Sequence, residues 1–261
     1  AAGITSGCGE SAYCPHSVIV RKNLAVFLVR ALQLELITPP TKMHVIGEFT
    51  TYHDCCESRV TNIQLIAVTV DGVIVPAGET WSLNEHVGKR TVAKGYVAAG
   101  AIIGGELICC DHPENIGGGT SQFATTLYNA IFFAGLEDVS HRPHSIYFSR
   151  YPLGREATLG WTSPDVVFHN DTEYPVTIET SHTGTSITVQ LVGANGRRTV
   201  KTKTTGSATT ANGGTVTVTR TIGLQDGTST TESWTHRYNP IPTTGGGDPE
   251  PPAPPPPPTP M

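Results

Sequence analysis

The chain lacks several things that would each have named a class. No run of 18 or more apolar residues occurs, so no helical membrane span is legible. Charged residues make up only 15%, with a net charge of −5 and no basic run, so nucleic acid is not expected as a partner. The six cysteines form no Cys-x-x-Cys pair, which removes the commonest zinc and thioredoxin patterns. No Lys follows the one glycine-rich loop, which removes a P-loop. No metal or other cofactor is expected.

What remains is a chain of 261 residues rich in Thr, Val and Gly, a composition that favours strands and turns over a helical bundle. The expected fold class is α+β, a mixed or antiparallel sheet packed with a few helices. To it are added a β-rich C-terminal extension and a disordered Pro-rich tail. Eleven of the 20 prolines lie in 239–261, and the tail at 241–261 reads as an extended, solvated spacer.

Cys8, Cys14, Cys55, Cys56, Cys109 and Cys110 are an even set, as expected in an oxidising compartment. Cys8 and Cys14 flank a short turn that a local disulfide would close. Neighbouring cysteines rarely pair with each other, so one of Cys55/Cys56 is expected to bridge one of Cys109/Cys110. The leading residues Ala-Ala-Gly show no basic or apolar leader pattern.

Five regions are legible along the chain: a small unit at 1–34, a linker at 35–47, the main domain at 48–198, an accessory β extension at 199–240 and the tail. Leu24, Phe27, Leu28 and Ala31 have the spacing of one helical face. Val60, Ile63, Ile66 and Ala67 do too, so 60–68 is read as helix, with the Asp71-Gly72 turn after it. Trp81–Leu83, Ile146–Phe148, Asp165–Phe168, Val176–Thr180 and Ser186–Leu191 read as strands; the last two form a hairpin. Thr215–Thr221 and Thr230–Tyr238 form another strand pair.

The strongest local signal is Gly117-Gly118-Gly119-Thr120-Ser121-Gln122 opening a helix over 123–134, ended by Gly135. Glycines leave backbone amides unshielded, and a helix N-terminus favours an anion or oxyanion. Thr120 or Ser121 is placed either as a nucleophile or as a simple N-cap. A nucleophile needs a base. His144 is the first candidate, with His141 and Asp111-His112 behind it. Asp165, Asp171 or Glu156 would orient the imidazole.

Residues 48–192 resemble a VanW-like domain. The resemblance is carried by Phe49-Thr50-Thr51, Arg59-Val60-Thr61-Asn62-Ile63, Pro76–Asn84, Gly88–Thr91, Lys94-Gly95-Tyr96, Gly117–Gln122, Thr125–Ala130, His144-Ser145, Tyr151–Thr158 and Asp165…Phe168…Asn170. Residues 1–34 resemble the end of an S-layer homology repeat, through Gly3–Cys8, Tyr13-Cys14-Pro15 and Arg21…Leu32. That second resemblance implies docking to cell-wall polymer.

The VanW-like resemblance, a family named for its association with glycopeptide-resistance loci, implies an extracytoplasmic, secreted or wall-associated bacterial protein whose partner is peptidoglycan. Members with Cys in the glycine loop resemble L,D-transpeptidases, in which the Cys attacks a stem-peptide carbonyl. Ser121 stands at that position here, and a Ser hydroxyl depends on a strong, well-placed base. The expected mechanism is acyl transfer by Ser121 with His144 as base. Gln122 would position substrate or line the oxyanion site. Substrate would lie along Gly117, Gly118, Gly119, Thr120 and Tyr151, its carboxylate held by Arg142, Arg150 or Arg155. The alternative is a non-catalytic wall-binding module using the same groove.

Overall fold

The computed structural model describes residues 43–54, 57–103, 106–108 and 115–241. Residues 1–34, read from the sequence as resembling an S-layer homology repeat, the proline tail, Asp111-His112 and all six cysteines lie outside the described residues, and with them every disulfide pairing. The chain separates into two units, Ala1–Thr41 and Lys42–Met261, and the described residues all belong to the second.

The centre of this second unit is a four-stranded antiparallel sheet. The strands β1 (His44–Tyr52), β2 (Val73–Val75), β8 (Val176–His182) and β9 (Ser186–Gly193) lie in the order β1-β9-β8-β2. The alternation read at 176–191 sets its faces: Val176, Ile178, Ile187, Val189 and Leu191 all point into the core. The predicted hairpin forms, with Ser181 and His182 still paired to Thr188 and Ile187, so that only 183–185 turn the chain.

Two helices cover the inward face. The first, α1 (Ser58–Val70), extends the predicted helix by two residues at each end and buries Val60, Ile63, Ile66, Ala67 and Val70. The stretch 60–70 is therefore helical, and Asp71-Gly72 forms the turn into β2. A short α2 (Leu83–Val87) follows β3 (Thr80–Ser82), so Leu83 begins a helix rather than ending a strand. Ser82 caps it by accepting from Glu85 N–H.

The predicted glycine-loop helix is α3 (Thr120–Ala134), with Gly135 in the left-handed conformation at its end. The helix is buried on nearly every side. Thr125, Thr126 and Asn129 are buried as well, and each is hydrogen-bonded through its side chain. Gly47 of β1 lets strand and helix backbones touch, because a Cβ there would overlap the Ala130 carbonyl.

The remaining strands form three smaller antiparallel arrays. β3 joins β7 (Val167–His169) and β6 (Glu137–Ser140) in the order β3-β7-β6. β4 (Ala101–Ile103) pairs with β5 (Glu106–Ile108). The C-terminal sheet is β10 (Thr199–Thr209), β11 (Gly213–Gly223) and β12 (Ser229–Tyr238). Its inner face places Val216, Val218, Arg220 and Ile222 out of solvent. Its outer face is a ladder of paired hydroxyls, Thr217 with Thr235 at 2.8 Å and Thr221 with Thr231 at 3.1 Å.

One predicted strand is absent. Ile146–Phe148 is irregular chain. The backbone acceptors around it go to other partners: Ser145 O takes Asn239 N–H, Tyr147 O takes the Thr210 hydroxyl, and Phe148 O closes a turn with Tyr151 N–H. With those groups taken there is no ladder to join.

Candidate functional site

The loop before α3 is held from below. Asn62 of α1 donates from Nδ2 to Gly118 O and Val97 O, each at 2.8 Å, and accepts Val97 N–H at 2.9 Å. Gly118 packs so closely on Ala99 and Gly100 that a Cβ would strike their carbonyls. Gly119 has φ +89°, and a Cβ there would lie 2.7 Å from Cβ of Arg59. Gly118 and Gly119 therefore allow α1, the loop and the Val97–Gly100 segment to meet, while Gly117, at φ +87°, leaves room for the Arg90 side chain.

The N-terminal amides of α3 divide into two sets. Thr120 N–H is turned onto Gly117 O and Gln122 N–H onto Gly119 O. The Thr120 hydroxyl also bonds Gly117 O, at 2.8 Å, so Thr120 closes the turn rather than facing a ligand. The amides of Gly119 and Ser121 make no hydrogen bond among the described residues. They are donors left open at the positive end of a 15-residue helix.

Ser121 is half-buried, and its Oγ accepts Leu159 N–H at 3.0 Å. Among the described residues no hydrogen bond joins it to His144. Gln122 is fully buried and oriented: Nε2 donates to Thr51 Oγ1 at 3.1 Å and Tyr52 O at 3.0 Å, and Oε1 accepts from Arg59 Nη2 at 2.6 Å. Gln122 thus positions Arg59. The Arg59 guanidinium also approaches the Tyr151 hydroxyl at 3.5 Å and the Glu57 carboxylate at 3.9 Å.

The predicted arginines separate. Arg150 lies over the rings of Phe148 and Tyr151, at 5.3 and 5.9 Å. Burial lowers its pKa, and the charge of Arg59 adds to the shift while the Tyr151 phenol opposes it. Arg150, Arg59 and Tyr151 therefore share one neighbourhood at the front of α3. Arg142 is exposed, and its carbonyl accepts Thr158 N–H at 2.7 Å. Arg155 sits elsewhere. It packs over Phe132 and Phe133 at 5.3 and 5.0 Å, about three helical turns from Ser121.

His144 is buried and stacks on Tyr151, ring centroids 5.5 Å apart. Its Nδ1 lies 3.4 Å from Oε2 of Glu156, which also accepts His144 N–H at 3.1 Å. Glu156 is wholly buried, and its other oxygen takes the Tyr238 hydroxyl at 3.3 Å. Burial, then the adjacent Glu156 charge, raises the Tyr238 pKa far above that of an ordinary phenol, so it acts only as a neutral group. Of the three carboxylates considered as partners for a histidine, Glu156 is the one beside His144. Asp165 instead clamps Ser82 Oγ and Asn84 N–H, and Asp171 pairs with Arg198. His141 pairs with Asp138 at 2.5 Å.

Arg59 and Leu159 carry parts of the site that the sequence did not assign. Arg59 lies within the Arg-Val-Thr-Asn-Ile block, but nothing local marks its side chain as aimed at a residue 63 positions away. Leu159 acts through its backbone, which composition does not mark.

A glycine loop opens a central helix, an Asn on a preceding helix clamps it, and an Arg–Gln pair faces it. Residues 58–192, about half of the chain, carry this arrangement and match the family described as VanW like protein; the chain belongs to that family. Among curated proteins it is similar to the Bacillus subtilis (strain 168) protein described as uncharacterized protein YoaR, with 37% identity over 151 residues. The match covers 58% of this chain and 48% of that relative, so the chain spans less than half the relative's length. No solved structure matches. Among the described residues no helix is long and apolar enough to cross a membrane.

Proposed function

We propose that this VanW-like protein works outside the cytoplasm, at the bacterial envelope, and binds peptidoglycan stem peptides at the N-terminus of α3. The observation that carries the reading is the pair of open amides, Gly119 and Ser121, beside the guanidinium groups of Arg59 and Arg150. Oriented N–H groups, a helix dipole and two cations favour a carboxylate, which a stem peptide supplies at its C-terminus.

A second reading, acyl transfer, is favoured by the His144–Glu156 pair. Ser121 Oγ would attack the carbonyl carbon of a stem-peptide amide while its proton passes to His144. The C–N bond then breaks, the amine leaves with that proton, and an ester on Ser121 remains. An acceptor amine displaces the serine and forms the new amide. The oxyanion formed in each step would be held by the amides of Gly119 and Ser121. Reaching this geometry requires Ser121 Oγ and His144, which share no hydrogen bond among the described residues, to come together.

The test is titration with purified muropeptides, followed by mass spectrometry of the protein. Native protein and Ser121→Ala are expected to bind, and Arg59→Gln to bind about tenfold more weakly, the loss of one charge-assisted contact. Acyl transfer predicts a covalent adduct on native protein, absent in Ser121→Ala. No binding by any of them would sink the peptide reading. Binding without an adduct would leave the binding role alone.

A further inference from the structure

On the flank of the same domain lies an open cleft of about 540 Å³, whose walls include Ser82, Asn84, Glu85, Trp161, Thr162 and Asp165. That volume is within the range of small-molecule clefts, about 300–1,000 Å³. Trp161 is its one aromatic wall and is 45% exposed, although a Trp gains most by burial.

The ring is held out by a built turn. Arg90, almost wholly buried, donates from Nη1 to Asn84 Oδ1 at 2.7 Å and from Nη2 to Gly160 O. Gly160 N–H closes the turn onto Pro164 O at 2.8 Å, and a Cβ at Gly160 would overlap Ser163. Trp161 is therefore presented on a rigid segment, which limits the entropy a ligand must overcome.

The charges around it select the ligand. Glu85 and Asp165 line the cleft and repel a polyanion. The ammonium of Lys89, which is not one of the cleft's walls, stands 4.1 Å from the Trp161 ring centroid, so its charge opposes a second cation on that ring. A neutral molecule with polarised C–H groups for the ring and hydroxyls for the rim satisfies both limits. The side chains of Glu85 and Thr162 make no hydrogen bond among the described residues and are free to meet such hydroxyls.

We infer that this cleft binds a neutral saccharide chain, the glycan strand of the polymer whose stem peptides meet α3. The inference rests on the peptidoglycan reading for the identity of the glycan. The placement fits one bound polymer: Leu159, which bonds Ser121, is two residues from Trp161, or about 7 Å of extended chain.

The experiment titrates native protein, Trp161→Phe and Trp161→Ala with a peptide-free N-acetylglucosamine tetrasaccharide, by calorimetry and tryptophan fluorescence. A peptide-only stem tetrapeptide is titrated in parallel. The expected result is saturable saccharide binding, weakened about tenfold or more in Trp161→Ala and less in Trp161→Phe. Tetrapeptide binding and the circular dichroism spectrum should be unchanged. No saturable saccharide binding at millimolar ligand, or equal affinity in Trp161→Ala, overturns the cleft assignment. If the tetrapeptide binds in that case, the α3 reading survives alone. If saccharide binds through Trp161 and tetrapeptide does not, the cleft stands and the peptide reading falls.

Discussion

The two ends of α3 are treated in opposite ways. At its C-terminus the carbonyls are met by side chains from the strands and turns that come after it. Asn195 Nδ2 donates to Ala134 O, Arg198 to Gly135 O, and Arg220 to both Phe132 O and Leu136 O. At its N-terminus two amides stay open, and two cations, Arg59 and Arg150, lie in front of the helix. Both ends carry groups that a helix cannot satisfy internally. The difference separates structure from function: donors from the C-terminal segments close one end, and the other is left for a ligand. The extension at 199–240 is thus part of how the central helix is finished.

The largest expected effect lies at the closed end. Arg220 is fully buried, bonds Phe132 O in the last turn of α3 and Leu136 O just past it, and reaches the partly exposed Glu232 at 2.6 Å. Arg220→Ala removes these bonds and opens a cavity, so urea denaturation should show a loss of about 3–5 kcal/mol. Peptide affinity of the folded fraction should be unchanged. If affinity fell while stability held, the two ends would not be separable.

At the open end the weights reverse. Gly119→Ala forces a side chain into φ +89° and against Cβ of Arg59 at 2.7 Å. The conformational cost is about 1–2 kcal/mol, with a further increment for the overlap. The displaced Arg59 should lower stem-peptide affinity about tenfold or more. A variant that lost the stability but bound peptide normally would remove Gly119 and Arg59 from the site.

The same contrast explains what was legible in the sequence. The glycine run and Gly135 bracket α3 because positive φ and helix termination are local demands. The hairpin at 176–191 was legible for the same reason, through period-two alternation. Pairings across the chain were not. The Arg59–Gln122 bond spans 63 residues, and Arg220 meets Phe132 across 88. The composition of 199–240 suggested strands but could not show that Arg220 finishes a helix. Ile146–Phe148 has strand composition, yet its backbone carbonyls are taken by other partners. Asp165 and Glu156 were equally plausible partners for a histidine until the fold placed only Glu156 beside His144.

The smallest expected effect concerns Arg155, which sits toward the closed end without sharing its hydrogen bonds. Its guanidinium is packed over Phe132 and Phe133, and its Nη1 is buried with no partner among the described residues. Burial lowers its pKa from 12.5 to about 10. In the unfolded chain the group holds its proton up to the ordinary value, so between pH 10 and 12.5 the unfolded state binds more protons. The contribution of Arg155 to stability therefore improves as pH rises through 10, and at neutral pH its buried charge is unfavourable. Arg155→Met keeps most of the volume over the two rings and removes that charge. Stability at pH 7 should stay level or rise by about 1 kcal/mol, and the gain should shrink above pH 10. Urea denaturation of native and variant protein at pH 7 and about pH 10.5 measures both. A loss of several kcal/mol at pH 7 would mean that the guanidinium supports the end of α3 as Arg220 does, and the closed end would then extend further along the helix than its hydrogen bonds indicate.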